Sequence, residues 1–219
     1  MKEYLPIICQ TALFEGVSQQ EAGEMLHCLN GRTASFQKGE YILRAGEAGH
    51  CLGLLLDGQA LVVHEDFWGG RNLLTSLGPG QSFAESFAAA DATLSVSVTT
   101  ETGCTVLFLE VERILNTCPT TCAHHSRIIR NLLNVLARKN VALSEKLEHL
   151  GQRTTRSKLL SYLSAQSQRA GSPVFDIPFS RQQLADYLLV ERSALSRELG
   201  KMQEDGIVEF QRNHFKLME

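Results

Sequence analysis

Residues 180–217, SRQQLADYLLVERSALSRELGKMQEDGIVEFQRNHFKL, carry two apolar patterns of helical period, a break between them, and then two short segments separated by a polar turn. Ser180 can accept from free backbone N–H groups, so the first helix opens there, with Leu184, Ala185 and Leu188 on one face, and ends close to Leu189. The second begins near Glu191 and Arg192, buries Ala194, Leu195, Leu199 and Met202, and stops at Gly206, a residue suited to the left-handed C-terminal position. Ile207, Val208 and Phe210, then Gln211-Arg212-Asn213-His214, then Phe215 and Leu217 read as two strands around a turn. That is the order of elements in a winged helix-turn-helix.

Arg192, Ser193, Ser196 and Arg197 are left on the outer face of the second helix. A helix in the major groove needs side chains that reach base edges, and Arg can contact guanine O6 and N7 in bidentate fashion. Arg192 and Arg197 are therefore the candidate base readers. Ser193 and Ser196 are short enough to permit close approach and can bond phosphate or base. Ser180, Arg181 and Gln182 at the start of the first helix, and Arg212 at the hairpin tip, complete the candidate DNA-binding set. The plainer reading of Arg192 and Arg197 is a solvated helix face.

Charge supports the same division of labour. The whole chain is at −3, but residues 150–219 hold ten Lys or Arg against eight Asp or Glu, whereas 1–149 hold eleven against sixteen. Only the C-terminal part has the sign that neutralises phosphates. A chain of 219 residues that is 43% hydrophobic can supply two cores. It has no apolar run of about 20 residues and no secretory pattern in MKEYLPIICQTALFEG, so a cytoplasmic location without membrane is expected. The six cysteines are scattered, which argues for reduced thiols.

Between 33 and 110, short apolar segments at 41–43, 52–56, 60–63, 73–77, 94–98 and 105–109 alternate with glycine turns. This spacing predicts an antiparallel β-roll. A capping box, Ser18 to Glu21, places a short helix before it. No His pair and carboxylate converge as a β-roll metalloenzyme requires, and neither a phosphate loop with Lys nor a nucleophile elbow is present, so no catalytic residue is assigned.

TRSKLLSYL with FSRQQLADYLLVERSALSRELGKMQEDGIV resembles the DNA-binding domain of the CRP/FNR family of bacterial transcription regulators. KGEYILRAGE, LLLDGQALV and LGPGQSFAES are similar to the cyclic-nucleotide-binding type of β-roll that serves that family as sensor. The resemblance implies recognition Arg residues at Arg192 and Arg197, with Ser193 standing where many members carry an acidic residue. It also implies an effector pocket containing Phe83, Glu85, Ser86, Ser95 and Ser97, and, from the long helix, Asn140 and Leu143. Two departures stand out. Ala84 replaces the usual Gly, and the Arg that holds the cyclic phosphate is missing, with Leu94 and Ser95 in its place and no Lys or Arg between Arg71 and Arg113. A buried phosphate without a cation is poorly compensated, so cyclic AMP is not the expected effector. Leu143, where cyclic-AMP binders have a hydroxyl residue, points the same way.

From 126 to 150, Ile129, Leu133, Leu136, Asn140, Leu143, Leu147 and Leu150 alternate by four and three, the spacing of a coiled-coil seam. A lone Asn140 at an a position suits a parallel pair, so a homodimer on a palindromic operator is expected. The competing reading is a single helix packed on its own roll with Asn140 at the surface. Just upstream, Cys118, Cys122, His124 and His125 are candidate ligands for a metal or haem, set against buried thiols and surface His. The expected architecture is α+β: an antiparallel β-roll over 1–118, a dimerisation helix over 119–150 and a winged helix-turn-helix over 151–219. The expected partners are double-stranded DNA, a second copy, an unknown small-molecule effector and, for an activator, RNA polymerase. The alternative is a β-roll signalling module whose helical tail binds a protein.

Overall fold

The computed structural model describes residues 2–65, 71–116 and 123–218, and the chain divides into two compact units, Met1–Ala137 and Arg138–Glu219. In the first, helices α1 (Leu5–Gln10) and α2 (Gln19–Cys28) precede strands β1 (Arg32–Phe36), β2 (Tyr41–Leu43), β3 (Cys51–Asp57), β4 (Ala60–Glu65), β5 (Arg71–Leu77) and β6 (Ser82–Phe83). Helix α3 (Glu85–Ala89), strands β7 (Ser97–Thr100) and β8 (Cys104–Glu110), and helix α4 (Val111–Leu115) follow, before the 28-residue helix α5 (Ala123–Leu150). The expected capping box holds α2: Ser18 Oγ accepts from the Glu21 N–H at 3.3 Å, and a Glu21 carboxylate oxygen accepts from the Ser18 N–H at 2.7 Å.

Two four-stranded antiparallel sheets, ordered β1-β8-β3-β6 and β2-β7-β4-β5, form the roll. Strand β3 reads CLGLLLD because both its faces are covered. Leu55 joins Ile42, Phe83, Val98 and Val106 in one core cluster, while Leu52, Leu54 and Leu56 join Ile8, Phe14, Leu26, Ile128 and Leu132 in another. Gly53 is required by the first of these, since a Cβ there would lie 2.1 Å from Phe83 Cζ. The segment expected as a strand over 94–98 is shorter in fact. Leu94 exchanges backbone hydrogen bonds with Gly46 and Glu47, which holds it in a loop, so the ladder begins at Ser97 and continues to Thr100.

Helix α5 is tied to the first unit by Ile128, Leu132 and Val135, all buried, by Asn131 Nδ2 donating to the carbonyls of Leu13 (3.0 Å) and Glu15 (2.9 Å), and by Arg127 donating to the Gly16 carbonyl. These residues were not among the seven assigned to the seam. They correct its first half: Ile129 and Leu136 flank the buried stripe and pack on the roll's own core, whereas Leu133 is 64% exposed.

The second unit continues α5 and adds α6 (Thr155–Ala170), β9 (Val174–Asp176), α7 (Arg181–Tyr187), α8 (Arg192–Glu204), β10 (Val208–Gln211) and β11 (His214–Leu217). Leu159, Tyr162, Leu163, Leu184, Leu188, Leu195, Leu199, Met202 and Phe215 form its core, and Ala194 is half-buried rather than buried. Strand β9, which the sequence reading did not anticipate, pairs with β11 to make a three-stranded sheet ordered β10-β11-β9.

Candidate nucleic-acid interface and effector site

Helix α7 opens as expected at Ser180, whose Oγ accepts from the Gln183 N–H while the Gln183 side chain accepts from the Ser180 N–H at 2.8 Å. The chain then turns through Leu189, held at φ +50°, with the Val190 N–H closing onto the Ala185 carbonyl at 3.0 Å. This is a left-handed position occupied by a Leu that is 61% exposed. Helix α8 follows and ends where Gly206, at φ +71°, lets the Ile207 N–H reach back to the Met202 carbonyl at 2.9 Å.

The burial of α8 is one-sided. Leu195, Leu199 and Met202 are fully buried, and Arg192, Ser193, Ser196 and Arg197 are all exposed. Gly200 lies among the outward positions, with open space where a Cβ would stand. Two cations that the sequence reading did not single out brace this arrangement. Arg156 on α6 makes ion pairs with Glu198 (3.5 Å) and Asp205 (2.5 Å), which fixes α8 against α6. Lys158 donates to the Leu188 carbonyl at 3.0 Å, at the C-terminus of α7. Their partners lie 30 to 49 residues away, so no local pattern marks them.

At the hairpin, Gln211 pairs directly with His214, which tightens the expected four-residue turn to Arg212 and Asn213, with Arg212 exposed at φ +55°. Gln182 is exposed and donates to Asp186 at 2.8 Å. Arg181 is placed differently from the other candidates: it is half-buried, its guanidinium lies over Phe210 and Phe215, and Nη2 donates to the Arg212 carbonyl at 3.0 Å. Burial lowers the proton affinity of Arg181 from its ordinary value.

The sensor candidates do not share one environment. Ala84 adopts φ +61°, the conformation that favours Gly, and this turns the chain into α3 so that Glu85 is buried, with Ser82 Oγ donating to its carboxylate at 3.2 Å. Ser86 and Ser95 are exposed. Ser97 is not the pocket hydroxyl it was expected to be: it is buried, and its Oγ accepts from the Ala45 N–H at 3.0 Å. Phe83 is a core residue, its ring seated on Gly53.

Cys118 and Cys122 lie outside the described residues, as does the side chain of His124. His125 is buried, with Nε2 2.9 Å from the Arg113 carbonyl. Among the described residues no group of three or more His, Cys, Asp or Glu is arranged to hold a metal ion, and no helix is long and apolar enough to cross a membrane. Along the rest of α5, Asn140 is exposed and its carbonyl accepts from Ser144, Leu143 and Leu147 are 60% and 68% exposed, and Leu150 is half-buried.

Residues 33–120 match the sequence profile of the Cyclic nucleotide-binding domain, and residues 157–218 match that of the Crp-like helix-turn-helix domain. A Lacticaseibacillus casei protein described as "Probable transcriptional regulator flp" is 29% identical over 113 residues, which is 52% of this chain and 48% of the relative, so the match spans about half of that protein. Solved structures share the fold. The Thermus thermophilus Catabolite Activator Protein is 23% identical with a TM-score of 0.52, covering 95% of this chain and 94% of its own. The c-di-GMP responsive global regulator CLP of Xanthomonas campestris is 20% identical with a TM-score of 0.57, covering 90% and 99%. CprK, in complex with OCPA, is 14% identical with a TM-score of 0.67, covering 89% of each chain.

Proposed function

We propose, for a chain that belongs to the CRP/FNR family of transcription regulators, that two copies bind a palindromic operator and that a small molecule other than cyclic AMP controls the binding. One observation carries the DNA reading: Arg192, Ser193, Ser196 and Arg197 stand exposed together on α8, opposite its buried stripe, so the helix can enter a groove without unpacking its core. Arg192 and Arg197 read base edges, Ser193 and Ser196 contact base or phosphate, and Ser180, Gln182 and Arg212 meet the backbone.

Exposed Leu133, Leu143 and Leu147 support pairing through α5, which would space two recognition helices about one duplex turn apart. The effector side rests on Glu85, buried behind left-handed Ala84 with no Lys or Arg between Arg71 and Arg113. A buried carboxylate accepts hydrogen bonds, so it favours a ligand that donates them. Cytoplasmic location, and contact with RNA polymerase if the protein activates, follow from the same reading.

Binding to genomic fragments across a salt series tests it. A DNA reader loses affinity steeply as salt rises, with a log–log slope of about −0.9 per phosphate neutralised. Arg197→Ala is expected to cost about 1–3 kcal/mol at a selected operator and to relax preference at one base position. Equal losses on selected and random DNA would remove Arg197 from base reading, and indifference to all DNA would leave the protein-binding alternative.

A further inference from the structure

The geometry points to Arg181 as a positioning residue that sets the hairpin tip for phosphate contact, in place of the direct DNA contact its location on α7 first implies. Its guanidinium carbon lies 4.9 Å from the Phe210 ring centroid and 5.6 Å from that of Phe215. Those two rings are cross-strand partners in the β10–β11 register, stacked 5.8 Å apart. The Arg181 fork thus spans both strands of the hairpin at once, and its Nη2 reaches past them to the Arg212 carbonyl at 3.0 Å. Arg212 is the residue whose backbone takes the left-handed conformation that makes the turn, and its own side chain is exposed.

Each of these contacts uses a property particular to Arg. A planar, weakly hydrated cation can lie against two aromatic rings while still donating in the plane of its fork, and a Lys ammonium cannot do both. The location makes the assignment sharper, because Arg181 is the first residue of α7, where a cation opposes the helix macrodipole. The Phe210 and Phe215 rings and the Arg212 carbonyl supply the compensation. A short two-strand hairpin is only marginally stable by itself, and β9 pairs with β11 alone. On the other side Val208 anchors β10 in the core, and Arg181 adds the tie from Phe210 and the turn to the start of the helix-turn-helix.

The inference rests on the DNA reading for its consequence, though not for its geometry, and the two are separated by measuring them apart. In the DNA-free full-length protein, Arg181→Lys keeps the charge and loses the planar fork. Amide exchange over residues 210–215 is then expected to quicken several-fold in both Arg181→Lys and Arg181→Ala, with residues 192–199 unchanged. Unchanged exchange over 210–215 overturns the assignment whatever happens with DNA. On an operator fragment, Arg212→Ala leaves the carbonyl acceptor in place and removes the charge being aimed. If Arg181 acts through Arg212, each single variant lowers the salt slope by about one unit, and the double variant matches Arg212→Ala within about twofold in affinity. Losses that multiply, a slope lowered by about two, and wild-type affinity in Arg181→Lys would show Arg181 to be an independent phosphate contact and overturn the inference. Failure of the wild type to bind any DNA would sink the DNA reading while leaving the exchange result to decide the geometry.

Discussion

Tyr162 carries a hydroxyl that is buried without a hydrogen-bond partner among the described residues, and removing it is expected to stabilise the second unit. The ring itself is well used: it meets His149 edge-on at 5.7 Å, Tyr187 at 5.5 Å and Phe179 at 6.1 Å. Tyr162→Phe keeps all three contacts and takes away one oxygen, a void smaller than a methyl group. A desolvated hydroxyl costs about 1–3 kcal/mol when nothing replaces its water, and the lost packing of one atom offsets only part of that. The expected net gain is about 1–2 kcal/mol, or about 4–8 °C in Tm per kcal/mol for a unit of roughly 80 residues. Native-state exchange at the Leu159 and Leu163 amides, both inside this core, reads the opening free energy of this unit apart from the roll. Tyr187→Phe is the control, expected within about 0.5 kcal/mol of wild type. A loss of 1 kcal/mol or more in Tyr162→Phe would refute the reasoning, because it would mean that the hydroxyl holds an internal water whose bonds outweigh its desolvation.

Three further outcomes follow from the same structure. Burial lowers the proton affinity of His149, against the raising influence of Glu148 and Glu145 and with a smaller lowering contribution from Arg169, so the unfolded chain takes up the proton first. Stability of this unit is therefore complete above about pH 6.5 and falls as pH drops from there through the lower folded-state value, and a pH series of unfolding on His149→Gln should lose that slope. Leu189→Gly relieves a left-handed strain of about 1–2 kcal/mol and adds about 0.5–1 kcal/mol of unfolded-state entropy, so denaturant titration should show a gain of up to about 1 kcal/mol; a clear loss would mean that the exposed Leu packs against something that matters. Leu133→Asp with Leu147→Asp changes two exposed positions, so sedimentation should report monomer with the helical circular dichroism reduced by no more than the two turns over 137–144, and an undisturbed dimer would exclude α5 as the seam.

The recognition half was legible almost residue by residue because its signals are local. Ser180 capping, the buried set Leu184, Ala185, Leu188, Leu195, Leu199 and Met202, and the stop at Gly206 all depend on neighbours within a few positions. What escaped was set at a distance. Strand β9 is three residues long and exists because β11 offers it an edge, and Arg181, Arg156 and Lys158 look alike in sequence until their partners 30 or more residues away are known. In the sensor, the alternation that suggested a strand over 94–98 was outweighed by hydrogen bonds to the 46–47 loop, and the hydroxyl of Ser97 went to the Ala45 backbone. The seam pattern in α5 has two uses for a related reason. A stripe spaced by four and three is as good for packing on a roll as on a second helix, and Ile128, Leu132 and Val135 beside it place the start of the helix on the roll.

Helix α5 is therefore held by different chemistry at its two ends. Toward its start it is fixed to the roll by buried aliphatics and by the Asn131 and Arg127 bonds to backbone carbonyls. Toward its end, in the recognition unit, Glu145 pairs with Arg169, Lys146 lies over the Tyr187 ring at 5.0 Å, and His149 bonds Ser161 at 2.8 Å. Residues 137–144, two full turns between these anchors, are exposed at every position, and they include Val141 and Leu143. Two turns of helix are not stable on propensity alone, and apolar side chains more than half exposed contribute little of the burial that would help. Under the proposed pairing this stretch gains its stability from a second copy, so it is the part of α5 whose order depends on assembly. An effector bound near Glu85, as proposed, would act on the proposed reading helices to the extent that it changes how well the two copies of this stretch fit, because a ligand shifts an equilibrium only by its difference in affinity for the two states.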